Sequence, residues 1–157
     1  CPVVRARVGQ SPVIQALLSE DGVLAGDGSG SAAVPAFQPA FDAFLMMGLV
    51  LEAMATRKAT LGGLARELPK YHIVKDGVAC PPERVHSVVQ DVRSLFPGRA
   101  LTDFDGVRAE DEEGWVHVRA SATEPMIRVI VENTSREKAQ AEMERVSLFV
   151  QGRAAGG

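Results

Sequence analysis

The sequence predicts an α/β chain in two parts: a strand–helix–strand–helix segment with an incomplete sheet, followed by a small α+β domain in which helices cover one side of a sheet. Two observations indicate this fold class. Runs rich in β-branched and apolar residues at 106–109, 115–119 and 127–131 stand between two helix-like segments in the second half. The first half instead alternates single strand-like and helix-like runs.

The first two predicted elements are a strand and a helix. Residues 3–9 alternate apolar and basic side chains and end in glycine, which predicts a half-buried strand. A helix is expected to follow because Ser11 is a candidate N-cap, Pro12 suits the first helical position and Gly22 lies just past the end.

A short strand and two further helices are predicted next. The run 23–26 predicts a strand that leads into a glycine-rich loop. The segment 41–58 has a helical length and is apolar on nearly all sides, so we expect it to be buried against other domains or a partner. The helix 61–68 holds two glycines, which weaken the prediction, although Thr60 is a plausible cap.

The second part begins after a proline-bounded stretch, 71–80, which predicts a linker with an extended middle. The helix that follows carries apolar residues on one face, namely Val85, Val88, Val89, Val92 and Leu95. After the three strands, a last helix is predicted from Ser135, its cap, to about Val150. The tail 152–157 is expected to be frayed.

Composition excludes several classes of protein. With 157 residues, 46% of them hydrophobic and 24% charged, the chain has the profile of an ordinary globular protein. A formal net charge of -3 argues against general nucleic-acid binding, which needs clustered positive charge. The most apolar run, 43–51, is far shorter than the roughly 20 residues needed to span a bilayer. We expect a cytoplasmic protein that binds neither nucleic acid nor membrane.

The two cysteines, Cys1 and Cys80, form neither a metal-ligand spacing nor a disulfide framework. A bridge between them is possible, but two reduced thiols are the expectation for a cytoplasmic protein. The chain starts without methionine and enters a strand-like run almost at once. This start indicates a fragment or a processed product of a longer protein.

The loop between the last two predicted strands combines hydroxyl groups with an arginine at each end. Its candidate donors are the side chains and turn amides of Arg119, Ser121, Ala122, Thr123 and Arg128. A phosphate monoester carries about -1.5 to -2 charges and three strong acceptor oxygens, so this donor set suits it. The alternative is a polar hairpin whose arginines pair with Glu124 and Glu132, and residue chemistry by itself favours that alternative.

The glycine-rich loop 25–31 fits no nucleotide-binding pattern. Ser31 stands where the third glycine of a dinucleotide-binding loop is required, and the Gly-Lys-Ser/Thr of a P-loop is missing. An acid and a hydroxyl on this flexible scaffold, Asp27 and Ser29, can hydrogen-bond to vicinal sugar hydroxyls. A surface turn is the commoner role for such a loop.

The histidines offer no catalytic or metal site. His72, His86 and His117 share no ligand spacing with each other or with a cysteine or acid. No Ser-His-Asp or Cys-His constellation can be argued either. We therefore assign no catalytic residue and no metal ligand.

The two loops, in this order and separation, resemble those of the α-D-phosphohexomutases, which include phosphoglucomutase, phosphomannomutase and phosphoglucosamine mutase. The family's last domain carries Arg-Pro-Ser-Gly/Asn-Thr-Glu-Pro-x-x-Arg, which stands here as RASATEPMIR at 119–128. Its third domain carries Gly-Glu-x-Ser-Gly, here GDGSG at 26–30. The resemblance implies part of a three-layer α/β domain three at 1–70, a linker at 71–80 and domain four at 81–157.

The resemblance also implies roles for individual residues. The phosphate of a sugar phosphate would be held by Arg119, Ser121, Ala122, Thr123 and Arg128. The sugar hydroxyls would contact Asp27 and Ser29. The cleft would be bordered by Arg7 and Gly9.

Three positions depart from the family pattern. Asp27 stands where Glu is usual, Ala120 where Pro is usual, and Ala122 where Gly or Asn is usual. An alanine at a turn position with φ > 0 would be mildly strained. These departures bear on affinity and substrate choice more than on the fold.

The family transfers phosphate through a phosphoserine in a Ser-His-Asn-Pro-like loop of its first domain and binds Mg²⁺ on an Asp-Gly-Asp-Gly-Asp-like loop of its second. Neither motif occurs in this sequence. The resemblance therefore implies an isomerase of the intramolecular phosphotransferase type as the full-length parent, with Mg²⁺ there, no cofactor on this chain and no activity from this chain alone. Its partners would be a hexose or hexosamine phosphate and the missing N-terminal domains. Two alternatives are a non-catalytic sugar-phosphate-binding module or partner subunit, and a structural α/β protein without a ligand.

Overall fold

A computed structural model of the chain describes residues 2–156. The chain divides between Pro69 and Lys70 into two compact units. Both units mix helices with antiparallel strands, and this confirms the α/β class that the sequence predicts. No helix among the described residues is long and apolar enough to cross a bilayer.

The first unit contains three helices and a short hairpin. Its elements in chain order are α1 (Gln10–Ser19), β1 (Ala25–Gly26), β2 (Ala32–Ala33), α2 (Ala43–Arg57) and α3 (Leu61–Arg66). β1 and β2 pair antiparallel and flank the glycine-rich loop.

Side-chain caps start two of these helices. The Asp42 carboxylate accepts a hydrogen bond from the Leu45 N–H at 2.7 Å and begins α2. The Thr60 hydroxyl accepts one from the Gly63 N–H at 3.1 Å, which confirms the predicted cap of α3.

The start of α1 differs from the prediction. The helix begins before Ser11, and its N-cap is Gly9, whose φ of 126° turns the chain without a side-chain hydrogen bond. Pro12 lies in the first turn, where a missing N–H costs nothing because those groups have no intrahelical partner.

The predicted strand at 3–9 is wrong, because residues 2–7 take no regular structure. A strand exists only where its backbone groups pair with a neighbour, and the pairings found among the described residues join other segments. The apolar helix α2 has no buried residue within this chain, and the Phe44 side chain is 84% exposed.

The second unit is a five-stranded antiparallel sheet with two helices. Its elements in chain order are β3 (His72–Ala79), α4 (Pro82–Asp91), a 3-10 turn (Val92–Leu95), β4 (Ala100–Thr102), β5 (Val107–Glu110), β6 (Gly114–Ala120), β7 (Met126–Asn133) and α5 (Arg136–Ala155). The strand order is β3-β7-β6-β5-β4, so β6 and β7 lie near the middle of the sheet.

The hydrophobic core lies between one face of this sheet and the helices α4 and α5. Alternate strand residues are buried there, as the period of two requires: Val107, Ala109, Val116, Val118, Ile127, Val129 and Val131. The three strands and two helices predicted for this half are confirmed, with helices on one side. The Ser135 cap is confirmed as well, since its hydroxyl accepts from the Lys138 N–H.

The extended middle predicted for residues 71–80 is confirmed as β3, which pairs over its whole length with β7 as an edge strand. One prediction in this half needs correction. The tail is not frayed within the described residues, because α5 continues to Ala155. Ala154 is buried, and its carbonyl accepts a hydrogen bond from Arg84 at 3.2 Å, so a long-range contact holds the last turn.

Gly106, in the turn before β5, lies unusually close to β6. Its φ is +82°, and an added Cβ would lie 2.3 Å from the Val118 carbonyl oxygen and 2.7 Å from the Arg119 Cβ. Gly98 has a similar φ of +86° but no atom within 4 Å of an added Cβ. Substitutions at the two glycines therefore distinguish backbone strain, which both would have, from steric overlap, which Gly106 alone of the two would have.

We expect Gly106→Ala to destabilise the second unit by clearly more than Gly98→Ala. The Gly98 variant suffers only the strain of a left-handed alanine, about 1 kcal/mol. The Gly106 variant adds a collision with backbone. Urea unfolding monitored through Trp115, the sole tryptophan, measures both free energies of unfolding. Equal losses in the two variants would contradict the close approach.

Candidate functional site

The loop between β6 and β7 is closed by backbone hydrogen bonds at its base. The Ser121 N–H donates to the Met126 carbonyl at 2.9 Å, and the Cys80 N–H donates to the Pro125 carbonyl at 3.1 Å. The second bond comes from the chain just after β3. The loop therefore leaves the middle of the sheet in a defined position.

Arg119 and Arg128 are partners in the β6–β7 register. Residues directly opposite each other in an antiparallel pair have Cβ atoms about 4.5–5.5 Å apart. Both residues are half-buried, while their neighbours Val118 and Ile127 point into the core. Two guanidinium groups thus lie on the face away from the helices, where the strands meet the loop.

The Arg119 side chain has an unused donor. One Nη of Arg119 donates to the Ala120 carbonyl at 2.9 Å, at the start of the loop. Its Nε is buried and has no hydrogen-bond partner within residues 2–156. Buried donors in proteins are nearly always paired, and the Arg93 Nε is unpaired in the same way among the described residues, so the Arg119 nitrogen supports an anion site only together with the arginine pair and the loop.

Arg128 is paired with Glu124, a carboxylate of the loop itself. The two side chains are 40% and 48% exposed, so the ion pair is a surface pair and contributes little to stability. Glu132 instead accepts a hydrogen bond from the Trp115 indole at 2.7 Å. The sequence left open a polar hairpin whose arginines pair with Glu124 and Glu132. The structure contains the pairing with Glu124.

The remaining loop residues are accessible from solvent. Ser121 is half-buried, whereas Ala122 and Thr123 are exposed. The strain considered for Ala122 is absent: the non-glycine residues with positive φ in the described chain are Asp21 and Lys58. Alanine at this turn position is thus tolerated by the backbone.

The same face of the sheet carries polar residues that sequence reasoning did not assign to the site. Trp115, His117 and Arg119 alternate along β6 on the face away from the helices. The Arg108 guanidinium lies 4.2 Å from the Trp115 ring centroid. The alternation in the strand sequence was the available signal, because it places every second residue beside Arg119.

His117 is held by the turn before β5. Its Nε2 lies 2.6 Å from the Asp105 carbonyl oxygen. Burial lowers the pKa of His117 below its ordinary value, and the charges of Arg119 and Arg108 act in the same direction, while Asp105 opposes them. His117 is therefore neutral near pH 7.

The glycine-rich loop of the first unit is ordered by its own side chains. One Asp27 carboxylate oxygen accepts from the Ser29 hydroxyl at 2.6 Å and from the Ser29 N–H at 2.9 Å. The Ser29 and Ser31 hydroxyls lie 3.1 Å apart. Arg7 is exposed, outside regular structure, and Gly9 caps α1. Asp27 and Ser29 thus lie together in the first unit, and Arg119 and Arg128 lie together in the second.

The described residues, 2–156, contain no group of three or more His, Cys, Asp or Glu side chains that could hold a metal ion. Mg²⁺ in a longer parent stays a prediction, and no residue here is assigned to it. Cys80 is buried and forms no disulfide with a described residue, burial raises the pKa of its thiol, and the thiol donates to the Pro81 carbonyl. Cys1 lies outside the described residues.

Comparison with known proteins relates both units to one family. Residues 1–71 match "Phosphoglucomutase/phosphomannomutase, alpha/beta/alpha domain III", and residues 78–148 match "Phosphoglucomutase/phosphomannomutase, C-terminal domain". The chain is 33% identical over 153 residues to a probable phosphoglucosamine mutase of Pyrococcus abyssi, covering 94% of this chain and 34% of that protein. It is 33% identical over 144 residues to a phosphoglucomutase/phosphomannomutase of Thermococcus kodakarensis, covering 90% of this chain and 31% of that protein.

A solved structure shows the same fold. A phosphoglucomutase/phosphomannomutase family protein of Burkholderia thailandensis superposes with a TM-score of 0.74 at 24% identity, covering 96% of this chain and 32% of that one. The chain spans about a third of the length of the curated relatives that it matches. The chain belongs to the phosphoglucomutase/phosphomannomutase family and carries residues of its domain III and its C-terminal domain.

Proposed function

We propose that the loop 119–128 binds the phosphate group of a hexose or hexosamine phosphate. The observation that carries this proposal is the register that sets Arg119 opposite Arg128 at the base of a hydroxyl-bearing loop. The buried, unpaired Nε of Arg119 supports it, because an anion that accepts from this nitrogen removes the cost of an unsatisfied donor. Two arginine forks match the geometry and charge of a phosphate.

Different donors around the loop would make different contacts with the phosphate. The two guanidinium groups would supply charge-assisted hydrogen bonds, and the hydroxyls of Ser121 and Thr123 would complete the shell. The amide of Ala122, in the exposed part of the loop, is a further donor. Phosphate would have to compete with Glu124 for Arg128, because these two side chains are paired in the structure.

In the first unit, Asp27 and Ser29 are proposed to contact sugar hydroxyls. Their mutual hydrogen bonds hold the carboxylate in one orientation on an exposed hairpin loop. A carboxylate accepts from two vicinal hydroxyls at once, which suits a pyranose ring. Arg7 and Gly9 are proposed only as residues that border the same cleft.

The activity proposed for the whole protein is intramolecular phosphoryl transfer on a hexose phosphate. This chain would hold the phosphate that does not react, and the binding energy of that remote group would orient the reacting end. Several relatives are named as probable phosphoglucosamine mutases, so a hexosamine phosphate is one candidate substrate. The phosphoserine, Mg²⁺ and the chemical step are proposed to reside outside this chain, which by itself is expected to bind without turnover.

We expect Arg119→Ala and Arg128→Ala each to weaken phosphate binding by about 10- to 100-fold. The reason is that one charge-assisted hydrogen bond contributes about 1.5–3 kcal/mol. Calorimetric titration of the 157-residue chain with glucose 6-phosphate and glucosamine 6-phosphate, at constant ionic strength, measures this loss.

The matched control is Arg136→Ala, which removes the same charge from an exposed position on α5. It should leave the dissociation constant within about twofold of the unchanged chain, because a distant surface charge is largely screened. Glucose without phosphate should bind far more weakly. Equal affinity in all three arginine variants would sink the assignment.

Glu124→Gln should strengthen binding of inorganic phosphate by a few-fold. The substitution removes a carboxylate that occupies Arg128 and repels an anion, and a surface pair of this kind is worth about 0.2–1 kcal/mol. Glu144→Gln, on the exposed side of α5, is the control for net charge. Weaker binding in Glu124→Gln than in Glu144→Gln would show that Glu124 supports the ligand instead of competing with it.

A further inference from the structure

The turn that joins β4 to β5 lies directly against Arg119. Gly106 ends this turn, and an added Cβ there would lie 2.8 Å from the Arg119 Cα and 2.7 Å from its Cβ. These distances leave no room for solvent between the turn and the stem of the arginine. Gly106, at the end of the turn 103–106, therefore packs against the stem of the Arg119 side chain.

Two side chains hold this turn in place. The His117 Nε2 contacts the Asp105 carbonyl at 2.6 Å from within β6. Arg93, from the 3-10 turn after α4, donates to the Asp103 carboxylate at 2.7 Å. The Arg93–Asp103 pair is 38% and 68% exposed and is weakened by solvent, whereas His117 is half-buried.

The chemistry of the contact between His117 and Asp105 determines which ring nitrogen of His117 carries a hydrogen. A carbonyl oxygen only accepts, so Nε2 must carry the hydrogen that is shared with Asp105. The neutral ring with hydrogen on Nε2 and the protonated ring both satisfy this requirement. A donor at this position is needed to hold the turn, and an apolar side chain cannot supply one.

We propose that His117 is a positioning residue for Arg119: by holding the turn 103–106 against β6, it keeps the Arg119 guanidinium in one orientation at the start of the loop. The inference rests on the proposed function, in which Arg119 binds phosphate. An arginine side chain has many rotamers, and fixing it before binding removes an entropic cost from the binding step.

Three features agree with this role. His117 and Arg119 are two residues apart and share one face of β6. The guanidinium already donates to the Ala120 carbonyl, so its direction is set without a ligand. Its Nε is buried although it lacks a hydrogen-bond partner among the described residues, and Gly106 of the turn packs against the stem of the same side chain.

The test compares His117→Leu with His117→Gln. His117→Leu removes the donor, and we expect binding of glucose 6-phosphate to weaken roughly 3- to 10-fold, the cost of immobilising one long side chain. His117→Gln keeps an N–H that can donate to the Asp105 carbonyl, and its affinity should stay within about twofold of the unchanged chain. If His117→Leu does not fold, as judged by Trp115 fluorescence, His117→Met takes its place.

A second readout needs no ligand. Hydrogen exchange at the Arg119 Nε, followed by NMR and assigned through loss of the signal in Arg119→Lys, should be slow in the unchanged chain and in His117→Gln. It should be at least tenfold faster in His117→Leu, because the arginine stem is no longer held against the turn and its nitrogen reaches solvent more often.

The two readouts separate the two proposals. If the arginine variants lose phosphate binding while His117→Leu binds and exchanges like the unchanged chain, the inference about His117 is overturned and the proposed function stands. If the unchanged chain does not bind phosphate but exchange still depends on His117, the positioning role is supported and the phosphate assignment fails.

The His117 pKa also predicts how stability changes with pH. The groups around His117 are Arg108 on β5, Asp105 in the turn and Arg119 on its own strand, while the neighbouring residue on β7 is the uncharged Ile130. Lys75 of β3 lies one strand further away. Burial lowers the folded-state pKa of His117, so the unfolded chain binds more protons as the pH falls below about 6.5.

The contribution of His117 to the free energy of unfolding should therefore be complete above about pH 6.5. It should be lost as the pH falls towards the lowered folded-state pKa. His117→Gln does not titrate and should lose less stability than the unchanged chain between pH 7.5 and pH 5. Urea midpoints followed through Trp115 measure the difference. Identical pH dependence in both proteins would contradict the lowered pKa.

Discussion

The pairing register between β6 and β7 decides where the two arginines of the proposed phosphate site lie. In this register Val118 faces Val129 inside the core, and Arg119 faces Arg128 on the other side of the sheet. A slip of one residue would exchange the two faces and bury charged groups. The arginine pair is therefore secured by the same hydrophobic burial that holds the sheet together, and not by any attraction between the two cations.

Like charges directly opposite each other destabilise a sheet, so the arrangement must be compensated. The structure shows partial compensation, since Glu124 neutralises Arg128 and the Ala120 carbonyl accepts from Arg119. The Arg119 Nε stays unpaired. This positive charge beside an exposed carboxylate is consistent with the proposed phosphate site, because a phosphate can accept from donors that the protein leaves unpaired.

Structural features with a strong local sequence signal were predicted correctly. The caps at Thr60 and Ser135 were predicted because a side-chain oxygen before a helix can bond only to nearby N–H groups. The three central strands were predicted because buried sheet positions alternate with a period of two. The strand predicted at residues 3–9 is wrong because a strand needs a distant partner, whereas the extended stretch at residues 72–79 is a strand because it pairs with β7.

The sequence by itself determined the chemical inventory of the loop, with Arg119 and Arg128 at its ends, and the hydrophobic alternation that makes them share a face. Only the tertiary structure decided that Gly106 lies against Arg119 and that His117 contacts the Asp105 carbonyl, since both contacts involve a turn that is remote from the loop in the chain. Local patterns encode what one strand or helix does alone. Contacts between distant segments depend on how the whole sheet assembles, and no short stretch of sequence records that.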